Sequence, residues 1–195
     1  MLKFRKNSLL GKINGQPLCC EYNTAWRKCG NDKEMLMKLA LSQQSLPYLS
    51  HACYEHMGLS KGYILSNFGE FVNGKRTFND VEGVGGYTYQ MYVGYSRDFD
   101  ITADITNIMW CNSPQIVVNA SKCPTIYISN KSDVHLVCDG CNYVNIKLFD
   151  ESKVTIEDAP EDSKIIIYKY SDDCEVKEGK FNFSEIKEFR KELRL

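Results

Sequence analysis

After Phe99 the chain repeats itself, and that repeat limits the possible folds more than any other feature. Short β-prone cores recur as DITADI, PQIVV, PTIYIS, DVHLV, NYVNIKLF, KVTIED, SKIIIYKY and CEVKE, separated by polar clusters such as NKSD, FDES, APEDS and YSDD. With Ile126, Val134, Val144, Val154, Ile165 and Val176 as markers, the intervals are 8, 10, 10, 11 and 11 residues. A near-constant short period means that each unit resembles the last and buries its apolar face by stacking on a neighbour. Two architectures meet this condition. One is an antiparallel β-sandwich; the other is a β-solenoid, in which each strand pairs with its equivalent one coil away. The turns favour the solenoid, because they are built mainly from Asn, Asp and Ser rather than the Asn-Gly or Asp-Gly pairs of tight hairpins.

The segments on either side of the repeat read differently. Asn31 is placed to cap a helix with Glu34 at its third position, and Leu36, Leu39 and Ala40 follow at helical spacing. Pro47 ends that helix and opens a second, PYLSHACYEHM, and SKGYILSNFGEF reads as a third from Ser60. At the other end, FNFSEIKEFRKELRL carries Ile186, Phe189 and Leu193 on one stripe, which predicts an amphipathic helix covering the open end of the repeat. The expected fold is therefore α+β. Residues 1–98 form a helical or mixed attachment region with a Tyr-rich segment, 99–180 a β-solenoid-like repeat with a β-sandwich as the alternative, and 181–195 a C-terminal capping helix.

Charge divides the chain in the same place. Residues 1–98 carry 12 Lys/Arg against 8 Asp/Glu and residues 99–195 carry 12 against 17, so a net of +4 faces a net of −5. The total of −1 gives no reason to expect nucleic acid as a partner. Lys3, Arg5 and Lys6 make the first residues basic, which suits an arm docking on a partner; a frayed terminus explains the same residues. No stretch approaches the roughly 20 apolar residues that span a bilayer, and no signal-peptide pattern opens the chain, so a soluble protein made in a cytoplasm is expected. The nine cysteines are then expected as reduced thiols rather than as a disulfide framework.

Three kinds of chemistry have candidate residues. Cys138 and Cys141 in CDGC form the sole Cys-x-x-Cys pair, half of what a structural zinc requires, and they link two extended segments rather than opening a helix as a redox pair would. They are expected to bracket a turn without metal. Cys53 with His51 or His56, and Cys20, Cys29 or Cys111, supply residue types for a cysteine nucleophile, but no local signature surrounds any of them. The acidic residues from Asp150 to Glu178 lack both the EF-hand loop and the Gly-Asp nonapeptide of calcium-binding rolls, and read as a solvated face. No cofactor is expected. Tyr87, Tyr89, Tyr92, Tyr95 and Trp110 are amphipathic rings that could stack against a glycan, and burial against the helices explains them equally.

The segments KCPTIYISNKSDVHLVCDGCNYVNIKLFDESKVTIED and IYKYSDDCEVKEGKFNFSEIKEFRKEL resemble small uncharacterised proteins of Bacteroides-infecting, crAss-like tailed bacteriophages, over about the last third of the chain. That resemblance implies a virion-associated or assembly protein whose repeats serve as a rigid mount, and it carries over no catalytic residues. The expected function is a non-enzymatic structural or interaction protein of the virion, made in the host cytoplasm. It would oligomerise and bind other virion proteins, with Ile186, Phe189 and Leu193 as an alternative docking stripe. A glycan-binding adhesion module is the second reading and a cysteine-dependent enzyme the third.

Overall fold

The computed structural model describes residues 12–13, 16–17, 20–42, 60–79, 86–120, 123–179 and 186–190. Its centre is a mostly-β solenoid of about four turns. Ten of its strands alternate between two parallel sheets. The first sheet takes β4 (Thr88–Val93), β6 (Ile105–Met109), β8 (Thr125–Ser129), β10 (Tyr143–Leu148) and β12 (Lys164–Lys169). The second takes β5 (Phe99–Ile101), β7 (Asn112–Val118), β9 (Asp133–Cys138), β11 (Lys153–Asp158) and β13 (Glu175–Glu178). Every neighbouring pair among these is parallel, so the sandwich alternative, which needs antiparallel ladders, is not what forms. A short hairpin of β1 (Lys12–Ile13) and β2 (Gln16–Pro17) precedes the helices, and β3 (Phe78–Asn79) adds to β4 antiparallel.

The coil is twice the interval read from the markers. Val134, Val154 and Val176 are directly registered in the second sheet, whereas Ile126, Val144 and Ile165 lie in the first. Each coil contributes one strand to each sheet, so the interval of about ten is the step from sheet to sheet. Inward side chains of both sheets, among them Ile108, Ile126, Val134, Leu136, Ile146, Val154, Ile156 and Ile167, are fully buried in one continuous core. Burying such a side chain stabilises the fold by about 1.5–3 kcal/mol, and here each lies against its equivalents one coil above and below. Pro114 has no N–H to give the ladder, and the register of β7 slips between Ser113 and Ile116.

The corners from the first sheet to the second repeat a backbone conformation. Gly94, Trp110, Asn130 and Asp150 follow equivalent positions in successive coils, and all have positive φ, at 60°, 52°, 58° and 58°. Gly, Asn and Asp tolerate that conformation because a missing or short polar side chain avoids the clash with the following carbonyl. From β7 onward the residue before each strand of the second sheet is small and buried: Cys111, Ser132, Ser152 and Cys174.

A helical layer covers the outer face of the first sheet. It consists of α1 (Cys20–Lys28), α2 (Lys33–Leu41) and α3 (Lys61–Phe68). Asp32 caps α2, its Oδ1 accepting from the Met35 N–H at 3.0 Å, so the cap lies one residue beyond the expected Asn31. Ser60 caps α3 as expected, accepting from the Tyr63 N–H at 3.2 Å. Trp26, Met37, Leu39, Leu41, Ile64 and Phe68 pack on Tyr89, Met91, Val93, Ile105 and Met109 as a second core. Asn73, in the left-handed conformation expected for Asn-Gly, fastens this layer to β4: its Oδ1 accepts from the Val93 N–H at 2.7 Å and its Nδ2 donates to the Val93 carbonyl at 3.2 Å. The expected helix from Pro47 lies outside the described residues.

The expected C-terminal helix is corrected. Ile186–Arg190 form a strand, β14, which pairs parallel with β12 in a register that sets Ile186 beside Ile165 and Phe189 beside Tyr168. Without it β12 would present a full row of unpaired backbone groups, and satisfying that edge outweighs a helical preference of a few tenths of a kcal/mol per residue.

Candidate functional site

The five rings proposed for stacking do not form one open platform. Tyr89 and Tyr92 lie on opposite faces of β4: Tyr89 enters the helical core at 3% exposure and Tyr92 the inter-sheet core at 4%. Tyr92 stacks on Phe99 with centroids 3.8 Å apart, Tyr95 meets both edge-on at 5.9 and 5.6 Å, and the Tyr92 hydroxyl donates to the Asp100 carbonyl at 3.2 Å. This aromatic group plugs the first coil and closes the core at its N-terminal end. Burial pushes the Tyr92 hydroxyl up to about 12. Trp110 packs partly buried against the helical core, and Tyr87 alone of the five is largely exposed. Lys3, Arg5, Lys6 and Leu193 lie outside the described residues.

CDGC is a corner of the coil. Cys138 ends β9, Gly140 takes φ 72°, and Cys141 precedes β10, with both thiols buried and unbridged. Cys141 Sγ donates to the carbonyls of Val118 and Ala120 at 3.3 and 3.4 Å, joining this corner to the coil before it. Two other buried thiols behave alike: Cys174 Sγ donates to the Asp150 carbonyl at 3.2 Å and Cys29 Sγ to the Trp26 carbonyl at 3.2 Å. Burial pushes Cys111 and Cys174 up to about 11 and Cys138 up to about 12. A thiol held protonated in this way is a poor nucleophile and a poor metal ligand. His51, Cys53 and His56 lie outside the described residues. Among the described residues no three His, Cys, Asp or Glu side chains converge to hold a metal ion, and no helix is long and apolar enough to cross a membrane.

Two surfaces built by the solenoid remain. The outward face of the second sheet is polar and partly exposed, and its side chains pair from coil to coil, His135 with Glu157 at 2.5 Å and Lys153 with Glu175 at 2.9 Å, while Lys131 and Glu151 pair at 2.9 Å in the corners that lead into it. The acidic residues expected as a solvated face thus alternate here with bases along the stacking direction. The second surface is internal. At the N-terminal end of the core, Thr88, Gln90, Asp104 and Thr106 take inward positions that Val or Ile hold further along, such as Ile126, Val144, Ile146 and Ile167. Sequence reading missed this group because a ten-residue marker interval does not align Thr106 with Ile126 and Ile146; the twenty-residue coil does. In comparisons with known proteins, no family model, no curated protein and no solved structure matches the chain.

Proposed function

We propose that the chain is a non-enzymatic structural or interaction module, a rigid mount that oligomerises within a phage particle of the kind its C-terminal third resembles. The observation that carries this reading is the second sheet. Its outward face repeats polar rows from coil to coil over a continuous aliphatic core, which supplies a flat, stiff surface for a partner. Three further features support it. The helical layer is fastened to the opposite sheet through a core of its own. Cys141 and Cys174 serve as hydrogen-bonded packing at corners. Beyond β13 no further strand pairs with the second sheet among the described residues, so its backbone edge can accept a strand from another chain. Sedimentation at micromolar concentration, together with co-fractionation with phage particles, tests the reading. An oligomer that travels with particles is the expected result, and a monomer that stays free of them would sink it.

A further inference from the structure

The inward face of the first sheet changes chemistry along the solenoid. Gln90, Thr106, Ile126, Ile146 and Ile167 stand in one registered column, and the last three fill the dry inter-sheet core. Asp104 lies in the bend just before β6, against Thr88, which shares the face of Gln90 in β4. Gln90 and Asp104 are each 7% exposed and Thr106 is 0% exposed. In the adjoining corners Ala103 and Ala120 are small and buried.

The hydrogen bonds here are incomplete in one sense only. Asp104 Oδ2 accepts from the Thr88 N–H and from the Thr88 hydroxyl, both at 2.9 Å. Gln90 Nε2 donates to Thr77 Oγ1 at 2.9 Å. Gln90 Oε1 and Thr106 Oγ1 are buried without a hydrogen-bond partner, and Asp104 forms no ion pair among the described residues. The unsatisfied atoms are thus oxygens, beside a nearly buried carboxylate that has no ion pair among the described residues. A buried unpaired oxygen is costly, and an unpaired buried charge more so. A water molecule could serve the two neutral oxygens, whereas a cation would serve them and the carboxylate together.

We propose that Asp104, Gln90 and Thr106 bind a hard cation at the N-terminal end of the solenoid core, Asp104 supplying the charge and the other two neutral oxygens. Oxygen-only donors select cations of the Ca²⁺ type over zinc or copper, and a single carboxylate implies weak binding, with Kd on the order of 0.1–1 mM. The ion would tie β4 to β6 where the column of isoleucines ends. This inference is independent of the proposed function.

The test is thermal unfolding of the chelator-treated full chain with Ca²⁺ added at constant ionic strength, alongside Tb³⁺ luminescence. With Ca²⁺ about tenfold above Kd, the midpoint should rise by about 3–6 °C. Asp104→Asn should abolish the rise. Thr106→Val, nearly the same shape without the hydroxyl, should fold at least as well as the parent without Ca²⁺ and lose most of the response. If Asp104→Asn fails to fold, Thr106→Val decides. An unchanged parent midpoint in Ca²⁺, or a rise that Thr106→Val retains in full, would overturn the site.

Discussion

The outward faces of the two sheets are built from similar strands and end in opposite environments. In β9 and β11 of the second sheet, buried residues alternate with half-exposed ones, so DVHLVC and KVTIED read as one wet and one dry face. In β6 of the first sheet all five residues of ITNIM are buried, including Thr106 and Asn107. The difference arises outside the strands. The helical layer covers the outer side of β4 and β6, and their outward residues become core because something else packs on them. An outward position in this solenoid therefore has no fixed energetic weight; the sheet it belongs to assigns one.

The largest effects should fall where that assignment is strongest. Met109 points outward from the first sheet yet is fully buried in the helical core, so Met109→Ala should lower unfolding free energy by about 2–5 kcal/mol in urea titration. Thr155, outward on the second sheet, should tolerate Ala within about 0.5 kcal/mol. Equal costs at the two sites would break the comparison. A smaller effect belongs to the corners that join the sheets. Asn130→Gly should be nearly neutral, whereas Asn130→Val forces a β-branched residue to φ 58° and should cost about 1–2 kcal/mol. Similar melting temperatures for these two variants would show that the left-handed corner is not a constraint.

The smallest effect concerns what the sheets share, their buried thiols. Cys111, Cys138 and Cys174 titrate higher in the folded chain than the ordinary value of 9.0. The unfolded chain thus releases these protons first. The stability they contribute is complete well below pH 9, near pH 7, and is lost as pH rises toward 11 or 12. Between pH 7 and pH 9 the loss should be on the order of 0.4 kcal/mol per thiol, measured by urea unfolding at each pH. Cys138→Val should flatten the slope by about one thiol's share, and an unchanged slope would place its titration elsewhere.

Much of the architecture can be read from the chain before folding. The recurrence of β-prone cores after Phe99 implies stacking, and the polar clusters between them imply corners, because apolar side chains at period two can be buried only against equivalent neighbours. CDGC as a corner follows from its place between two such cores. The coil length was harder to see, since the inward aliphatic positions of both sheets look alike and a marker cannot reveal which sheet it enters. The helix from Ser60 is legible from its cap and its apolar spacing. Ile186–Arg190 is not, because IKEFR suits helix or strand locally and the waiting edge of β12 resolves the choice.

The polar end of the core lies beyond local reading for a related reason. Gln90, Asp104 and Thr106 are unremarkable residues in a line of sequence, and their burial follows only once β4 pairs with β6 and the second sheet closes over them. Local patterning establishes that this chain makes short strands and stacks them, because side-chain alternation and turn chemistry act over a few residues. Which faces are dry and where oxygens are buried without partners depend on contacts between segments sixteen or more residues apart, and these exist only after the coils have stacked.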